Sequence, residues 1–108
     1  METTRILQEL SDLTATSRRG VEALFEAEEE LAQAENDLDT VEAKAFLDSE
    51  GSVAERTARA KLIAADVRLA RDLARAQVNR IKTKLRVIDS EIVAQSTMAK
   101  LLAAEARL

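Results

Sequence analysis

The chain has 108 residues, 46% of them hydrophobic and 33% charged, and this balance excludes a disordered polar tract. It contains no cysteine or histidine, which excludes a disulfide framework and the usual zinc and nucleophile–base sites. With no proline, two glycines and two aromatic residues, the composition predicts an all-α protein built from long helices around a thin core. We therefore expect no enzyme activity, no catalytic residue, no metal and no cofactor.

The first half of the sequence predicts one long amphipathic arm. Apolar or small residues recur in it at alternating spacings of four and three, a heptad pattern. The positions are Ile6, Leu10, Leu13, Ser17, Gly20, Leu24, Ala27, Leu31, Ala34, Leu38, Val41 and Ala45. The pattern is weakest from Ser17 to Gly20, which predicts a separate N-terminal helical segment over residues 1–19, either kinked or swapped to a neighbouring chain. Residues 20–108 would then form the hairpin.

A turn is predicted at residues 48–52. Turn-forming residues cluster there, and Gly51 is placed to adopt a positive φ after a helix. The motif from Ser52 to Glu55 is a capping box, in which the serine hydroxyl accepts a hydrogen bond from the Glu55 backbone and the Glu55 carboxylate returns to Ser52. A second helix should therefore begin at Val53 and run back along the first arm.

The second arm carries its own apolar stripe and a spare apolar row. Two successive steps of four around Ala74 predict a stutter in the stripe, which runs through Ala60, Ile63, Val67, Ala70, Ala74, Val78, Ile81, Leu85, Ile88, Ile92, Gln95, Ala99 and Leu102. A second row makes the apolar surface wider than one partner helix covers. We therefore expect a homo-oligomeric bundle or ring with an interface formed by Leu62, Leu69, Leu73, Ile81, Leu85, Ile88 and Ile92.

Charge divides the two arms. Residues 1–50 carry four basic and fourteen acidic side chains, a net of −10, whereas residues 51–108 carry twelve basic and six acidic ones, a net of +6. At about 100° per residue, six basic side chains fall on one strip beside the apolar stripe of the second arm. They are Lys61, Arg68, Arg71, Arg75, Lys82 and Arg86.

This basic strip has two interpretations. It pairs with Glu28, Glu35 and Glu42 beside the seam of the first arm and fixes antiparallel pairing, or it follows the phosphates of a nucleic acid. The state of Arg68, Arg71 and Arg75 decides between the two interpretations. Arginines that are neutralised by carboxylates of the first arm are not free to bind phosphate.

Part of the chain resembles a known group of proteins. The run Lys44-Ala-Phe-Leu-Asp-Ser-Glu-Gly-Ser-Val-Ala-Glu-Arg-Thr-Ala-Arg-Ala-Lys-Leu62 and the Ala/Arg/Leu-rich helix after it resemble small helical proteins of tailed bacteriophages, similar in layout to UvsY-type recombination mediators. The resemblance covers residues 40–105. It implies a ring-forming hairpin that binds single-stranded DNA and helps to load a recombinase onto strands covered by single-strand-binding protein. The six basic residues of the strip would then contact DNA.

These observations lead to two functional expectations. The first is a phage-encoded, homo-oligomeric accessory factor in DNA recombination or replication, which binds single-stranded DNA, a recombinase or single-strand-binding protein in the host cytoplasm. The alternative is a coiled-coil module for protein interaction, either a virion assembly element or an inhibitor of a host protein, without DNA binding. No stretch of about 18 uncharged apolar residues occurs, so we expect no association with a membrane.

Overall fold

The computed structural model describes residues 2–107, and within them the fold is all-α. Three helices follow one another, α1 (Glu2–Asp48), α2 (Val53–Ile63) and α3 (Ala65–Ala106), and these residues form no strand. The predicted fold class, an antiparallel helical hairpin, is confirmed. Its assembly into an oligomer stays a prediction.

The chain divides into two compact units, and each contains an antiparallel helix pair. In one unit, Phe25–Asn79, the end of α1 turns back through residues 49–52 into α2 and the start of α3. In the other, residues up to Leu24 pack against the part of α3 from Arg80 onward. We call these the turn unit and the terminal unit.

The first arm is one uninterrupted helix, and its apolar face is where the heptad pattern places it. All twelve predicted positions are buried or half-buried, with Ile6, Ala27, Leu38 and Ala45 the most buried of them. α1 continues through Gly20 without interruption, and the kink expected there stays a prediction. Gly20 permits close packing, since a Cβ placed on it would lie 2.6 Å from Leu85 Cδ2. Exchange of residues 1–19 with another chain stays a prediction.

The turn after α1 has the serine half of the predicted capping box, whereas the hydrogen bonds of the described residues do not include the return bond from the Ser52 backbone N–H to the Glu55 carboxylate. Gly51 adopts a φ of 112°, a left-handed conformation that side chains other than glycine rarely take. Ser52 is the N-cap of α2, and its hydroxyl accepts a hydrogen bond of 3.2 Å from the Glu55 backbone N–H. The Glu55 carboxylate lies beside Gly51 and 3.9 Å from Arg59 Nη2.

A single arginine ties the start of α2 to the end of α1. Arg56 donates to the Phe46 carbonyl from Nε at 3.1 Å and from Nη2 at 2.9 Å. Its guanidinium also lies 4.2 Å from the centre of the Phe46 ring. Carbonyls in the last turn of a helix lack partners within that helix, so Arg56 satisfies one of them while closing the hairpin.

The second arm departs from regular α-helix at Ala64, which the sequence did not predict, although Ala64 still donates to the Ala60 carbonyl and accepts from the Arg68 backbone N–H. Ala64 has φ −87° and ψ 5°, and it is fully buried, whereas Ile63 is 62% exposed. Arg71 likewise replaces Ala70 on the half-buried face. The predicted stripe is therefore wrong by one residue at these two positions. The stutter, two successive steps of four residues, lies around Ala60 rather than Ala74.

Candidate interaction surfaces

The structure divides the six basic residues between the two units. The turn unit contains Lys61, Arg68, Arg71 and Arg75, and the terminal unit contains Lys82 and Arg86. Lys61 is exposed and lines a shallow groove of about 480 Å³ with Glu42 and Phe46. The two groups are described separately below.

Arg68 is engaged by the acidic arm. Its Nη2 lies 2.5 Å from Glu42 Oε1, and its Nη1 donates to the Lys61 carbonyl at 3.2 Å. The side chains of Arg68 and Glu42 are only 31% and 37% exposed. Because the pair is partly withdrawn from water and carries a second hydrogen bond, it orients α3 against α1.

Arg75 makes a looser contact with the same arm. Its Nη2 lies 3.6 Å from Glu35 Oε1, and both side chains are about half exposed. An ion pair of this kind contributes little free energy, on the order of 0.2–1 kcal/mol, but it places positive charge opposite negative charge. Two of the three predicted acidic partners, Glu35 and Glu42, are therefore paired with the strip.

Arg71 occupies the seam rather than the solvent side of the strip. Its side chain is 23% exposed, and its Nε lies 2.7 Å from Asp72 Oδ1. The aliphatic part of an arginine can cover an apolar seam while the charged end reaches a carboxylate at the edge. The three arginines chosen to decide between the two interpretations are thus all paired with carboxylates, two of them from the first arm.

The basic residues of the terminal unit are in a different situation. Lys82 and Arg86 are exposed and form no ion pair with another described residue. The unit contains further exposed basic side chains that the sequence prediction omitted, among them Arg18, Arg19 and Lys84. Arg19 and Lys84 line one groove of about 350 Å³, together with Gly20 and Leu85. The antiparallel register explains why Arg19 and Lys84 lie together, because it brings their neighbours Gly20 and Leu85 into contact.

The predicted oligomer interface falls into two parts. Leu62, Leu69 and Leu73 are 78%, 58% and 63% exposed, so they remain accessible to another chain. The other residues contribute to the seam with the chain's own first arm: half-buried Ile81, Leu85 and Ile92, and buried Ile88. Ile88 is only 7% exposed, and the predicted oligomer interface stays a prediction.

Comparison with family models, curated proteins and solved structures found no match to the chain. The resemblance to phage hairpin proteins and UvsY-type mediators therefore stays an untested expectation. Among residues 2–107, no helix is long and apolar enough to cross a membrane. The same residues form no cluster of three or more acidic side chains that could hold a metal ion.

Proposed function

We propose that the chain is a non-enzymatic helical-hairpin module that binds other protein chains. The observation that carries this proposal is the pairing of Arg68 with Glu42 and of Arg75 with Glu35. A surface that follows phosphates needs free cationic donors, whereas Arg68 is held by Glu42 and Arg75 already faces a carboxylate of the first arm. The charge of the two arms then serves to orient the hairpin.

The exposed apolar side chains support the same proposal. Leu62, Leu69 and Leu73 lie on the second arm of the turn unit, each more than half exposed. Apolar patches of this kind are typical of protein interaction sites. They give the hairpin a surface on which other helices can pack.

The test combines mass by light scattering with binding of a labelled single-stranded oligonucleotide at low and high salt. The proposal expects a defined oligomer, or a complex with a protein partner, and no oligonucleotide binding at low salt. Arg71→Glu with Arg75→Glu should alter folding or assembly, because both arginines pair with carboxylates. Arg18→Glu with Lys44→Glu makes the same charge change at exposed positions whose side chains form no ion pair with another described residue, and it is the matched control.

Tight, salt-dependent oligonucleotide binding would overturn this proposal if the Arg71/Arg75 variant removed it and the control did not. That result would show that the strip leaves its carboxylate partners to bind phosphate. Affinity for a phosphate backbone falls steeply as salt rises, so the salt series separates true binding from instrument background.

The second candidate function is the DNA accessory factor that the phage resemblance implies. Its support is the exposure of Lys82 and Arg86, which have no ion-pair partner among the described residues. An oligomer would repeat this pair and raise a weak affinity for single-stranded DNA without new contacts. Lys82→Glu with Arg86→Glu should then abolish DNA binding, whereas the Arg71/Arg75 variant should retain it if it folds.

A further inference from the structure

Around the close contact of α1 with α3 at Gly20, the terminal unit carries positive charge without acidic residues. Residues 13–21 and 80–88 contain no aspartate or glutamate, and their six basic residues give them a net charge of +6. The six are Arg18, Arg19, Arg80, Lys82, Lys84 and Arg86. A local excess of one sign attracts ligands of the opposite sign over about one Debye length, roughly 10 Å at 0.1 M salt. This part of the molecule therefore favours acidic partners.

A groove with an apolar floor lies in this basic region. Its volume is about 350 Å³, at the small end of the range of ligand pockets, which is about 300–1,000 Å³. The lining residues of each helix span about 10 Å at 1.5 Å per residue, so the groove has room for a short segment with one or two apolar side chains. Its uncharged lining residues are Thr16, Gly20, Ala23, Ile81, Leu85 and Ile88.

One basic side chain lines the groove from each helix, Arg19 from α1 and Lys84 from α3. Both are exposed, and neither forms an ion pair with another described residue. Arg19 Nη2 donates to Thr16 Oγ1 at 3.1 Å, and the Thr16 hydroxyl in turn donates to the Asp12 carbonyl at 2.9 Å. These hydrogen bonds hold the guanidinium beside the groove and leave its other N–H donors for a ligand.

The groove of the turn unit has a different charge. Asp39 and Glu42 line it together with Lys61, so an anionic ligand would meet carboxylates there. The groove of the terminal unit has no acidic residue among the described residues that line it. Charge therefore distinguishes the two grooves, and it favours an anionic ligand in the terminal unit.

The lining favours an acidic peptide over a nucleic acid. Bases bind by stacking on aromatic side chains, and both aromatic residues of the chain, Phe25 and Phe46, belong to the turn unit. The groove of the terminal unit offers aliphatic side chains instead. An apolar side chain of a peptide can cover Leu85, while carboxylates on either side of it reach Arg19 and Lys84.

We infer that this groove binds a short acidic segment of a partner protein, with an apolar side chain in the groove and carboxylates against Arg19 and Lys84. The inference rests on the proposed function, since it names the chemistry of one partner of the module. The groove is also distinct from the candidate DNA contacts. Lys82 and Arg86 each lie two residues from Lys84 along α3, which is about 200° around the helix.

The test is fluorescence anisotropy of the full chain with a labelled amphipathic peptide that has a leucine face and glutamates along both edges of that face. The chain should bind this peptide at low salt, and the affinity should fall as salt rises. Replacing the leucines of the peptide by serine should weaken binding by about tenfold, because the apolar floor would lose its partner. A labelled single-stranded oligonucleotide of the same net charge should not bind.

Two variants of the chain test the charged contacts. Arg19→Glu with Lys84→Glu reverses both charges of the groove and should weaken peptide binding by about tenfold or more. Arg18→Glu with Lys100→Glu makes the same charge change at exposed positions of the same unit that do not line the groove, and it should weaken binding by about threefold at most. Circular dichroism checks that each variant remains helical.

Ala23→Leu tests the groove without a change of charge, and it covers the case in which the Arg19/Lys84 variant fails to fold. Ala23 is exposed in the lining of the groove, and leucine is a good helix former. The larger side chain should fill part of the groove, so this variant should bind the leucine and serine peptides with similar affinities. The wild-type chain should retain its preference for leucine.

Absence of peptide binding at low salt, or equal affinity of the wild-type chain for the leucine and serine peptides, would overturn the inference. Equal effects of the Arg19/Lys84 variant and its control would also overturn it, because the contacts would then not lie in the groove. Oligonucleotide binding that the Arg19/Lys84 variant removes would assign the groove to nucleic acid and likewise contradict the inference.

Failure of the peptide to bind leaves the proposed function standing, because the exposed leucines of the turn unit could still bind another protein. The proposed function fails instead through salt-dependent oligonucleotide binding that the Arg71/Arg75 variant removes. The two failures are therefore distinguishable.

Discussion

Gly20→Ala examined together with Leu85→Ala is the sharpest test of how the terminal unit packs. In α1, alanine is a better helix former than glycine, by about 0.8–1.0 kcal/mol. The new methyl group would however lie 2.6 Å from Leu85 Cδ2 and 3.4 Å from Leu85 Cγ. Leu85 is half-buried, so turning its side chain away from the new methyl group would give up part of its packing in the seam.

The opposing contributions set the expected magnitudes. Inserting a methyl group into a packed site costs about 1–3 kcal/mol, so Gly20→Ala alone should lower the free energy of unfolding by about 0–2 kcal/mol. With Leu85→Ala already present, nothing opposes the new methyl group, and the same change should raise stability by about 1 kcal/mol. The effect of Gly20→Ala should therefore depend on Leu85 by about 1–3 kcal/mol.

The assay is urea unfolding of the four chains, followed by far-ultraviolet circular dichroism at one fixed protein concentration. The concentration must be fixed because association shifts apparent stability. If Gly20→Ala stabilises both backgrounds by the same amount, Gly20 does not contact Leu85, and the register assigned to the terminal unit is wrong.

Three further predictions concern the turn and the strip. Gly51→Ala should destabilise by about 1–2 kcal/mol in thermal or urea unfolding, because φ is 112° at this position, whereas Gly51→Asn should cost less; equal stability would show that the left-handed turn is absent in solution. Ser52→Ala should cost about 0.5–2 kcal/mol by removing the α2 cap, and Ser52→Asp should retain most of the stability. A double-mutant cycle between Glu42 and Arg68 should give a coupling of about 0.2–1 kcal/mol that falls as salt rises, and a coupling of zero at low salt would contradict the pairing.

The first arm could be predicted from the sequence because its seam is regular. Alternating steps of four and three from Ile6 to Ala45 leave one choice of face, and every predicted position is withdrawn from solvent to some degree. The turn was equally accessible, since Gly51 and Ser52 each have a specific local role. Local rules act over a few residues, so they are visible without knowledge of the partner helix.

The start of the second arm could not be predicted in the same way. The pattern selected Ile63 and Ala70 because they are more hydrophobic than their neighbours, but the seam there uses Ala64 and Arg71. A small residue is favoured where two helices approach closely, and the methylene groups of an arginine can cover a seam as an aliphatic residue does. Both choices depend on the distance between helices, which a sequence of one chain does not state.

The strip shows a different limit of the sequence. Its residues were correctly placed beside the seam, but a spacing cannot tell whether an arginine meets a carboxylate or a phosphate. Arg68 and Arg75 meet carboxylates because the antiparallel register brings Glu42 and Glu35 opposite them. The register depends on both arms together. It therefore has to be taken from the structure, in which the turn and the close contact at Gly20 show which residues lie opposite each other.

The distribution of apolar residues connects this fold to association. Among residues 2–107, four of the eight most buried apolar residues are alanines, whereas Leu62, Leu69, Leu73, Val87 and Leu101 are more than half exposed. Burying a methyl-sized group contributes only about 0.8 kcal/mol, so a seam of alanines stabilises a hairpin weakly. The larger side chains that could supply more stabilisation lie on the outside of the second arm. Covering them with another chain would bury apolar surface that the hairpin leaves in water, which is why we propose this surface for binding helices.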